Sequence, residues 1–537
     1  MIGADAIVKC LEEEGVEYVF GYPGVAICPF YNSILDSNIK PILVRTEQNA
    51  AHAASGLARV SGKVGVCAVT SGPGATNVLT GIATAFADSI PLICITGQVN
   101  SELLGSDVFQ EADITGAAES FVKYSYLVKD ANEIPRIMKD AFYIANSGRK
   151  GPILIDVPID VQNAVVKKFE YPQEVNLRTY KPTIKGHAVQ IKKVINELSK
   201  AKRPIICAGG GVLLSEAEKE LREFAQKYSI PVVSTMMGIS AMPTKHPMYY
   251  GMVGNNGKPY ANRAMNESDL LIMVGARVAD RAISQPDLIM ENKVLVHIDV
   301  DPAEIGKNVG AEIPLVGDAK HIFEDLSKED IICNHKEWIE TLNQYRETMN
   351  VKRTPSPEYV DPAEFIRMLS EKMQDDAVYV ADVGQNQIWS CAYHIVKNGR
   401  FLTTGGMGTM GYSIPAAMGA KLACRDRQVI AVCGDGSFQM SMMELATMRQ
   451  FNVPVKIVVL KNNYLGMVRQ FQHFTYEDNY SVVDLSGSPD LEKLAMAYDL
   501  KFMRLFTMDK AEETIQKFLE SDESMLLECV IDPMDLV

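Results

Sequence analysis

Short apolar runs alternate with longer amphipathic stretches along most of the chain. In the first third, β-branched runs begin at Pro41, Val64, Pro91 and Pro152. A short apolar run between turn residues is typical of a strand that is buried on both faces, as in a parallel sheet. The amphipathic stretches between the runs predict helices. This part of the chain is therefore expected to form a doubly wound α/β unit.

The same alternation occurs twice more along the chain. Further strands are predicted to begin at Pro204, Leu270 and Val294, and then at Val378, Gln428, Val455 and Leu526. Two polar segments that contain proline, Lys167 to Gly186 and Met349 to Pro362, predict linkers between the sets. We therefore expect an α/β protein of three doubly wound parallel-sheet domains, over residues 1–165, 187–345 and 360–537.

Composition narrows the class of protein. The 537 residues are 47% hydrophobic and 22% charged, and the formal net charge is -14. An acidic chain gains nothing from counterion release on a polyanion, so we expect no nucleic-acid partner. No apolar run approaches the about 20 residues that span a bilayer. Met1 to Phe20 predicts an amphipathic helix rather than a signal peptide, so we expect a cytoplasmic protein without a membrane partner.

The ten cysteines give little sign of chemistry, since none forms a C-x-x-C pair. Several of them, among them Cys67, Cys94, Cys207 and Cys433, lie inside apolar runs. Buried and reduced thiols are therefore expected. A catalytic thiol would need an activating histidine nearby, and the sequence offers none.

The most specific pattern is Gly434-Asp435-Gly436-Ser437, followed by Asn462-Asn463 after the 25 residues from Ser437 to Lys461. Each part follows a predicted strand, the first ending at Cys433 and the second at Leu460. The first part is expected to open a helix near Met440. The carboxyl ends of parallel strands are where α/β sheets bind ligands. The pattern therefore predicts a ligand site at that edge of the third sheet.

The residue types at this site suit a diphosphate and a magnesium ion. Glycines let the backbone approach a diphosphate, and a helix N-terminus favours its charge. Mg²⁺ prefers oxygen ligands, which the side chains of Asp435 and Asn462 and the main chain of Tyr464 would supply. Each short motif alone is a common turn. The joint spacing, however, resembles the fingerprint of thiamin-diphosphate enzymes.

Glu47 is the candidate for activating such a cofactor. Thiamin diphosphate needs a carboxyl group that is hydrogen-bonded to its pyrimidine ring. Glu47 follows the first predicted strand and would open a helix through Ala50 to Ala54. A buried, apolar setting would raise its pKa and let it share a proton. By position alone it is equally an acidic residue favoured by the helix dipole, so the diphosphate motif is what favours the catalytic interpretation.

Longer matches cover nearly the whole chain. The sequence resembles the large catalytic subunits of the acetolactate synthase family in stretches that begin at Gly21, Glu47, Thr70, Gly105, Gly151, Gly275, His297 and Asn462. The resemblance implies pyrimidine-binding, central and diphosphate-binding domains, in that order. It implies decarboxylation of pyruvate and condensation with a second 2-keto acid, giving 2-acetolactate or 2-aceto-2-hydroxybutyrate for branched-chain amino acid biosynthesis.

The resemblance also implies how the chain assembles. It implies a homodimer or tetramer with active sites between subunits, so that Glu47 of one chain serves the cofactor held by the other. A regulatory small subunit is a further partner that the family allows.

The family's motifs assign further residues around the cofactor. Met410 would prop the cofactor into a bent shape, and the main chain of Gly408 and Met410 would hold the pyrimidine. Phe109, Met467 and Val468 would form an apolar wall that favours loss of carbon dioxide, with ordinary core packing as the alternative. Gln110 would contact substrate oxygens. The remaining members of the diphosphate cradle would be Gly384, Gln385, Asn386, Gly434, Gly436 and Ser437.

The central domain of the family binds an FAD that takes no part in redox chemistry. The residues that match its FAD-contacting stretches are Arg149, Gly209, Gly210, Gly211, Gly275, Arg277 and Asp299. A glycine run after a strand is a weak signal alone, so the expectation of FAD depends on the resemblance. Arg281 matches an arginine at the active-site mouth and would hold a keto acid's carboxylate. A surface salt bridge is the alternative for Arg281.

Five departures from the family pattern fall at the substrate entrance. They are Val25, Gly254-Asn-Asn-Gly, the missing Phe-Asp before Asp280-Arg281, Phe471, and a chain that ends at Val537 without the family's C-terminal tail. Phe471 stands where the family usually has Trp. It is expected to weaken discrimination between 2-ketobutyrate and pyruvate by roughly 1–3 kcal/mol. The acceptor is therefore less well defined than the cofactor.

Two other enzyme classes share Glu47 and the metal motif. One is a 2-keto-acid decarboxylase, or a related sulfopyruvate or acyl-CoA decarboxylase, which releases an aldehyde. The other is a pyruvate oxidase, which needs a redox-active FAD close to the thiazolium. The matches at Phe109 to Glu111 and at Leu465 to Val468 argue against the decarboxylase. The flavin geometry that would identify an oxidase cannot be read from a sequence.

Overall fold

Three parallel sheets of six strands each follow one another along the chain. The structure is a computed structural model that describes residues 1–283, 291–349 and 353–537. Within these ranges all paired strands of the three sheets run parallel, and parallel strands need crossover connections, most of which are helices here. The expected α/β fold class with three doubly wound sheets is confirmed. The three predicted domain boundaries stay predictions.

The first sheet has the strand order β2-β1-β3-β4-β6-β5. Its strands are β1 (Tyr18–Tyr22), β2 (Lys40–Leu43), β3 (Gly65–Val69), β4 (Leu92–Gln98), β5 (Tyr124–Leu127) and β6 (Pro152–Pro158). Its α-helices are Gly3–Glu13, Cys28–Ser33, Glu47–Ser61, Pro73–Ala87, Ile114–Ala118, Ile134–Asn146 and Ile159–Asn163. Short 3-10 turns lie at Val25–Ile27, Ile34–Asp36, Ser101–Leu103, Glu119–Phe121 and Ala131–Glu133.

The central sheet has the strand order β12-β11-β10-β7-β8-β9. Its strands are β7 (Pro204–Ala208), β8 (Val232–Ser234), β9 (Tyr249–Met252), β10 (Leu270–Val274), β11 (Val294–Asp299) and β12 (Ile313–Val316). Its described α-helices are Ala188–Lys200, Gly210–Leu214, Glu218–Lys227, Pro259–Glu267, Ala319–Leu326 and Lys336–Thr348, with a 3-10 turn at Met236–Gly238.

The third sheet has the strand order β14-β13-β15-β16-β18-β17, which repeats the first sheet strand for strand. Its strands are β13 (Val378–Ala381), β14 (Arg400–Leu402), β15 (Val429–Gly434), β16 (Lys456–Lys461), β17 (Lys501–Leu505) and β18 (Met525–Val530). Its α-helices are Pro362–Lys372, Gln385–Tyr393, Ser413–Ala423, Asp435–Ser441, Glu444–Gln450, Gly466–Thr475, Leu491–Ala497 and Ala511–Glu520, with a 3-10 turn at Met508–Lys510.

The N-terminal segment differs from its prediction. A single helix over Met1 to Phe20 is wrong, because the helix ends at Glu13 and Tyr18 begins β1. The physical reason is a change of environment after the acidic turn Glu12 to Glu14. Tyr18, Val19 and Phe20 are buried in the sheet, where aromatic and β-branched side chains pack well.

The first predicted linker packs against the first domain. Residues 167–186 contain neither helix nor strand, yet Phe169, Tyr171, Leu177 and Tyr180 pack against the core of the first domain. The Lys123 ammonium donates to the Tyr180 hydroxyl at 2.7 Å, so this segment is fixed to the first domain rather than free. In the second linker, residues 350–352 lie outside the described part.

One apolar core joins the first and third domains of the same chain. The helix Glu47–Ser61 packs on the helix Ser413–Ala423, and buried residues of both belong to one cluster. A Cβ atom added at Gly419 would lie 1.8 Å from the Ala53 carbonyl oxygen, and one at Gly56 would lie 2.0 Å from that of Ala416. The two helices therefore approach backbone to backbone.

All ten cysteines lie in the described ranges and are free thiols. As expected, Cys67, Cys94, Cys207 and Cys433 are buried. None of the helices in residues 1–283, 291–349 and 353–537 combines the length and apolar character that a bilayer crossing requires.

Gly419→Ala tests the close approach of the two helices. Alanine is the better helix former by about 1 kcal/mol, but its methyl group must push the helices apart, which typically costs about 1–3 kcal/mol. We expect a lower midpoint of thermal unfolding. Gly310→Ala is the matched control, because nothing lies within 4 Å of a Cβ atom there. An unchanged or raised midpoint for Gly419→Ala alone would contradict the packing.

Candidate active site

Asp435 and Asn462 follow two neighbouring strands at one edge of the third sheet. β15 and β16 are paired in the register Gly434↔Leu460, so the segments beyond both strands lie side by side. The helix begins at Asp435, not near Met440 as predicted, because β15 ends at Gly434 and the helix follows it directly, so the glycine motif itself forms the first helical turn. The two motifs, which are separate in the sequence, thus line one pocket, here called the diphosphate half-site.

Most residues predicted for the diphosphate and metal line this pocket. They are Gly384, Gln385, Asn386, Met410, Gly434, Asp435, Gly436, Ser437, Asn462, Tyr464, Met467 and Val468. Gly408 is not among the lining residues, although it belongs to the same loop as Met410. The structure therefore brings together side chains that are distant in sequence but predicted to share a ligand.

Asp435 is a buried carboxylate whose oxygens are held by the main chain. Its Oδ1 accepts from the Gly436 N–H at 3.1 Å, and its Oδ2 accepts from the Asn463 N–H at 2.6 Å. Burial raises the pKa of Asp435 to about 6, against the lowering effect of these hydrogen bonds. A cation bound here would offset the cost of burying the charge, so the site fits a metal.

Asn462 is oriented for an oxygen ligand. Its Oδ1 accepts from the Tyr464 N–H at 3.0 Å, and its Nδ2 lies 3.4 Å from Gln385 Oε1 as a donor. The amide nitrogen is thereby turned towards Gln385, which leaves the oxygen on the side of Tyr464. One carboxylate, one amide oxygen and a main-chain carbonyl, together with phosphate oxygens, are a donor set that suits Mg²⁺.

Glycines leave room for a ligand in this half-site. Gly384 has φ +133° and Gly408 has φ +65°, values that L side chains rarely adopt. A Cβ atom at Gly408 would come no closer than 4.0 Å to Val383, and one at Gly434 no closer than 3.6 Å to Asn386. Protein packing therefore does not explain the open space at these positions, whereas a diphosphate or pyrimidine close to the backbone would.

Sequence reasoning missed Asp382, which joins two parts of the diphosphate half-site. Its carboxylate accepts from the N–H groups of Val383 at 2.8 Å, Gly411 at 2.9 Å and Ser413 at 2.8 Å. Burial raises its pKa, and the three donors compensate its charge. Its position, directly after a buried strand and before a predicted cradle, is a signal that could have identified it.

The first domain of the same chain supports the loop that contains Gly408 and Met410. Asp88, paired with Arg59 at 2.7 Å, accepts from the Gly406 N–H at 2.9 Å. The hydroxyls of Thr84 and Thr409 lie 2.7 Å apart. These contacts span more than 300 positions of sequence, so no local pattern predicts them.

Glu47 lies at the carboxyl edge of the first sheet, where β2 ends. It begins the helix Glu47–Ser61, as predicted, and its Oε2 accepts from the Asn77 amide at 3.0 Å. A Cβ atom at Gly74 would lie 3.3 Å from Glu47 Oε1, and one at Gly72 would lie 2.9 Å from the Cβ of Gln110. The turn after β3 therefore lies next to both Glu47 and Gln110. We call Glu47, Asn77 and Gln110 the carboxylate half-site.

The two half-sites do not form one pocket within a single chain. Glu47, Phe109 and Gln110 are absent from the described residues that line the diphosphate half-site. Glu47 is half-buried rather than buried. Phe109 is 87% exposed and Val468 is 47% exposed, so core packing is wrong as the alternative role for these two side chains.

The central sheet has its own cleft at the carboxyl ends of its strands. Counted from β7, its order is that of dinucleotide-binding sheets, with β7 and β10 at the point where the order reverses. Gly209 to Gly211 follow β7 and Gly275 follows β10; Gly210, Gly211 and Gly275 line the cleft, and Gly209 does not. A Cβ atom at Gly209 would lie 2.1 Å from the Gly275 carbonyl oxygen. The glycines therefore let the two loops meet at this reversal point.

Three arginines and one aspartate predicted for FAD and substrate line the same central cleft, namely Arg149, Arg277, Arg281 and Asp299. Burial raises the pKa of Asp299 to about 6. Arg149 binds Glu304 at 2.8 Å and donates to Ser89 at 3.0 Å, so it also links the first and central domains. Arg281 is exposed and lies at this cleft, not in the diphosphate half-site.

Comparison with known families matches this architecture domain by domain. The family described as "Thiamine pyrophosphate enzyme, N-terminal TPP binding domain" matches residues 1–117. The corresponding central domain matches residues 191–326, and the C-terminal TPP binding domain matches residues 382–529. The fold and the site thus define a thiamin-diphosphate enzyme.

Individual relatives narrow the class. The probable acetolactate synthase large subunit of Methanocaldococcus jannaschii is 44% identical over 547 residues, covering 100% of this chain and 93% of that protein. The large subunit from Haemophilus influenzae is 42% identical, covering 96% and 91%. The isozyme 3 large subunit from Escherichia coli is 40% identical, covering 96% and 92%. The chain belongs to the acetolactate synthase large-subunit family.

Asp435→Asn tests the metal site. The substitution removes the charge but keeps one oxygen, so we expect Mg²⁺-dependent binding of thiamin diphosphate to weaken by more than about tenfold. Calorimetric titration of the purified protein measures it. The matched control is Asp484→Asn. The side chain of Asp484 is exposed, and only its main chain pairs with Tyr464, in an isolated β-bridge. Equal affinities of both variants and the parent protein would contradict the assignment.

Proposed function

We propose that this protein is an acetolactate synthase, which decarboxylates pyruvate and joins the remaining two-carbon unit to a second 2-keto acid. The supporting observation is the diphosphate half-site at the ends of β15 and β16, in a chain 40–44% identical to acetolactate synthase large subunits over nearly its whole length. Bound thiamin diphosphate supplies the carbon centre at which pyruvate is decarboxylated. The decarboxylase and oxidase alternatives are not favoured by these relatives.

Mg²⁺ is the metal proposed for the diphosphate half-site. Asp435, Asn462 and the Tyr464 carbonyl would hold it together with phosphate oxygens of the cofactor. Gly384, Gly434, Gly436 and Ser437 would bring main-chain groups and a hydroxyl to the diphosphate, with Gln385 and Asn386 completing the cradle. The raised pKa of Asp435 supports a cation at this position, because a positive charge would favour the ionised carboxylate.

Glu47 is proposed to act in the active site of a second subunit. Within one chain it does not line the diphosphate half-site, whereas its carboxyl faces the exposed edge of the first sheet with Gln110. A symmetric dimer that pairs each carboxylate half-site with the other chain's diphosphate half-site would complete two equal sites. It would also cover Phe109 and Val468, whose exposed apolar surfaces are costly in water. A tetramer would be built from two such dimers.

The remaining residues would shape the bound substrate. Glu47 would hold a proton at the pyrimidine nitrogen, and Met410 would fix the bend between the two rings. Phe109, Met467 and Val468 would exclude water from the reacting carbon, which favours decarboxylation. Gln110 would donate to a substrate oxygen, and Arg281 would bind the carboxylate of the acceptor if the dimer brings it to the entrance.

FAD is proposed for the central cleft. The strand order reverses there between β7 and β10. Gly210 is the member of the glycine run with the most room, because its Cβ atom would lie 3.2 Å from the Met237 Cβ and 3.5 Å from the Met237 carbonyl oxygen. Arg149 and Arg277 would attract the diphosphate of the flavin, and Asp299 would accept from a ribose hydroxyl. A regulatory small subunit is proposed as a partner, because the relatives are named large subunits.

Product identification from pyruvate with thiamin diphosphate and Mg²⁺ tests the activity. We expect 2-acetolactate, detected as acetoin after acid treatment. If acetaldehyde or peroxide is the main product instead, the proposal is contradicted.

Glu47→Gln tests the role of the carboxyl group in the same assay. The substitution should lower the rate by orders of magnitude while the cofactor still binds, because the proton site is lost.

The effect of Phe471 is tested by supplying pyruvate and 2-ketobutyrate together as acceptors. A strong preference for 2-ketobutyrate would refute the expected loss of discrimination.

Gly210→Val tests the flavin proposal. Its side chain would extend into the cleft against Met237, so we expect FAD affinity to fall by more than about tenfold, while the distant diphosphate half-site keeps its affinity for thiamin diphosphate. Flavin absorbance of the protein after equilibrium dialysis measures it, with Gly310→Ala as the matched control. Equal flavin retention by both variants would contradict the assignment.

A further inference from the structure

Glu444 is a carboxylate with 0% exposure at the start of the helix Glu444–Gln450. Although it belongs to the third domain, its Oε1 accepts from two groups of the first domain. These are the Arg45 N–H at 2.8 Å and the Asn49 side-chain amide at 2.9 Å. Its Oε2 accepts from the Thr447 hydroxyl at 2.7 Å. Three donors therefore satisfy a buried charge at the boundary between two domains.

Arg45 and Asn49 lie two residues before and two residues after Glu47. The main chain on one side of Glu47 and the first helical turn on the other side are thus tied to one carboxylate. The same helix adds a second contact, since Gln450 accepts from the Arg45 guanidinium at 2.8 Å. The end of β2 and the beginning of the helix Glu47–Ser61 are therefore placed by the third domain of their own chain.

We infer that Glu444 is a positioning residue for the catalytic carboxyl group of Glu47. The inference rests on the proposed function, in which Glu47 serves the other subunit. The helix Glu444–Gln450 follows the helix Asp435–Ser441 after only Met442 and Met443. One short segment thus places Asp435 for one active site and Glu47 for the other, which connects the two sites of a dimer through rigid elements.

The competing role for Glu444 is support of its own chain's diphosphate half-site. The two roles predict opposite results in mixed dimers. If Glu444 acts on Glu47, the Glu444→Ala chain loses its carboxylate half-site and keeps an intact diphosphate half-site. If it supports the metal helix, the reverse holds.

Single variants come first in the test. Glu444→Ala should lower kcat by about a hundredfold, the scale of a small misplacement of a catalytic group, with little change in the affinity for thiamin diphosphate and Mg²⁺. Glu444→Gln should restore most of the rate, because its oxygen still accepts from Arg45 and Asn49. Its amide can donate to Thr447, whose hydroxyl then donates to the Leu43 carbonyl at 3.1 Å.

Asn49→Ala is the second variant, since it removes one of the same hydrogen bonds from the other domain and should lower kcat in the same way. Asp140→Ala is the matched control. It removes another buried carboxylate, paired with Arg136 at 3.2 Å, that is distant from both half-sites, so its kcat should stay at the parent value. Thermal unfolding of all variants separates misplacement from loss of fold.

Mixed dimers, co-expressed with two affinity tags and purified through both, decide between the roles. Glu47→Gln with Asp435→Asn should give about half the parent rate per dimer, because one of two symmetric sites is complete. Glu444→Ala with Asp435→Asn should give the same, and Glu444→Ala with Glu47→Gln should stay inactive.

The reverse pattern, activity of Glu444→Ala with Glu47→Gln but not with Asp435→Asn, would overturn the inference. Parent-like kcat of the Glu444→Ala homodimer would overturn it as well. An inactive mixed dimer of Glu47→Gln with Asp435→Asn would instead remove the shared active site of the proposed function, and the inference with it. The three results are distinguishable from one another.

Discussion

The contact on which the rest of the molecule depends is the backbone approach of the helix Glu47–Ser61 to the helix Ser413–Ala423. Gly56 and Gly419 permit it, since a Cβ atom at either position would overlap a carbonyl of the opposite helix. Close-packed interiors do not deform gradually, so this contact fixes the first domain on the third. It also fixes the helix that begins at Glu47, which is not among the described residues that line the diphosphate half-site.

Buried carboxylates complete this arrangement. Asp88, Asp382 and Glu444 each accept hydrogen bonds from a segment that forms part of a half-site, and each is satisfied by several donors. In a medium of low polarity such bonds are stronger than in water, and leaving one unmade is costly. The loop with Gly408, the cradle near Gly384 and the turn before Glu47 are therefore held in place before any ligand binds. Preorganisation of this kind is what a catalytic site requires.

The central domain follows the same rule with a different strand order. Its order reverses between β7 and β10, and the segments after these two strands line its cleft. In the third sheet the order reverses between β13 and β15, and the segments after those strands line the diphosphate half-site. The first and third sheets share one strand order, and their carboxyl edges carry the carboxylate half-site and the diphosphate half-site, respectively. Each of the three sheets thus carries its own group of residues at its carboxyl edge: the carboxylate half-site, the central cleft and the diphosphate half-site.

The sequence by itself determined the three α/β units and the strands with a clear apolar run, and it predicted Asp435, Asn462 and Glu47 as the central groups. The three residues can be found locally, because each lies in a short motif that follows a strand with a clear apolar run. The strands β5, β9, β12, β14 and β17 lie at sheet edges and β8 has only three residues, so none of these has such a run; β1 continues the amphipathic stretch that predicted a helix. The roles of Asp88, Asp382 and Glu444, and the separation of Glu47 from its own chain's pocket, were decided only by the tertiary structure. Asp88 and Glu444 contact residues more than 300 positions away, in the other domain, and Asp382 joins two turns of one domain. The choice of these partners depends on how the elements pack, which no local pattern of residues encodes.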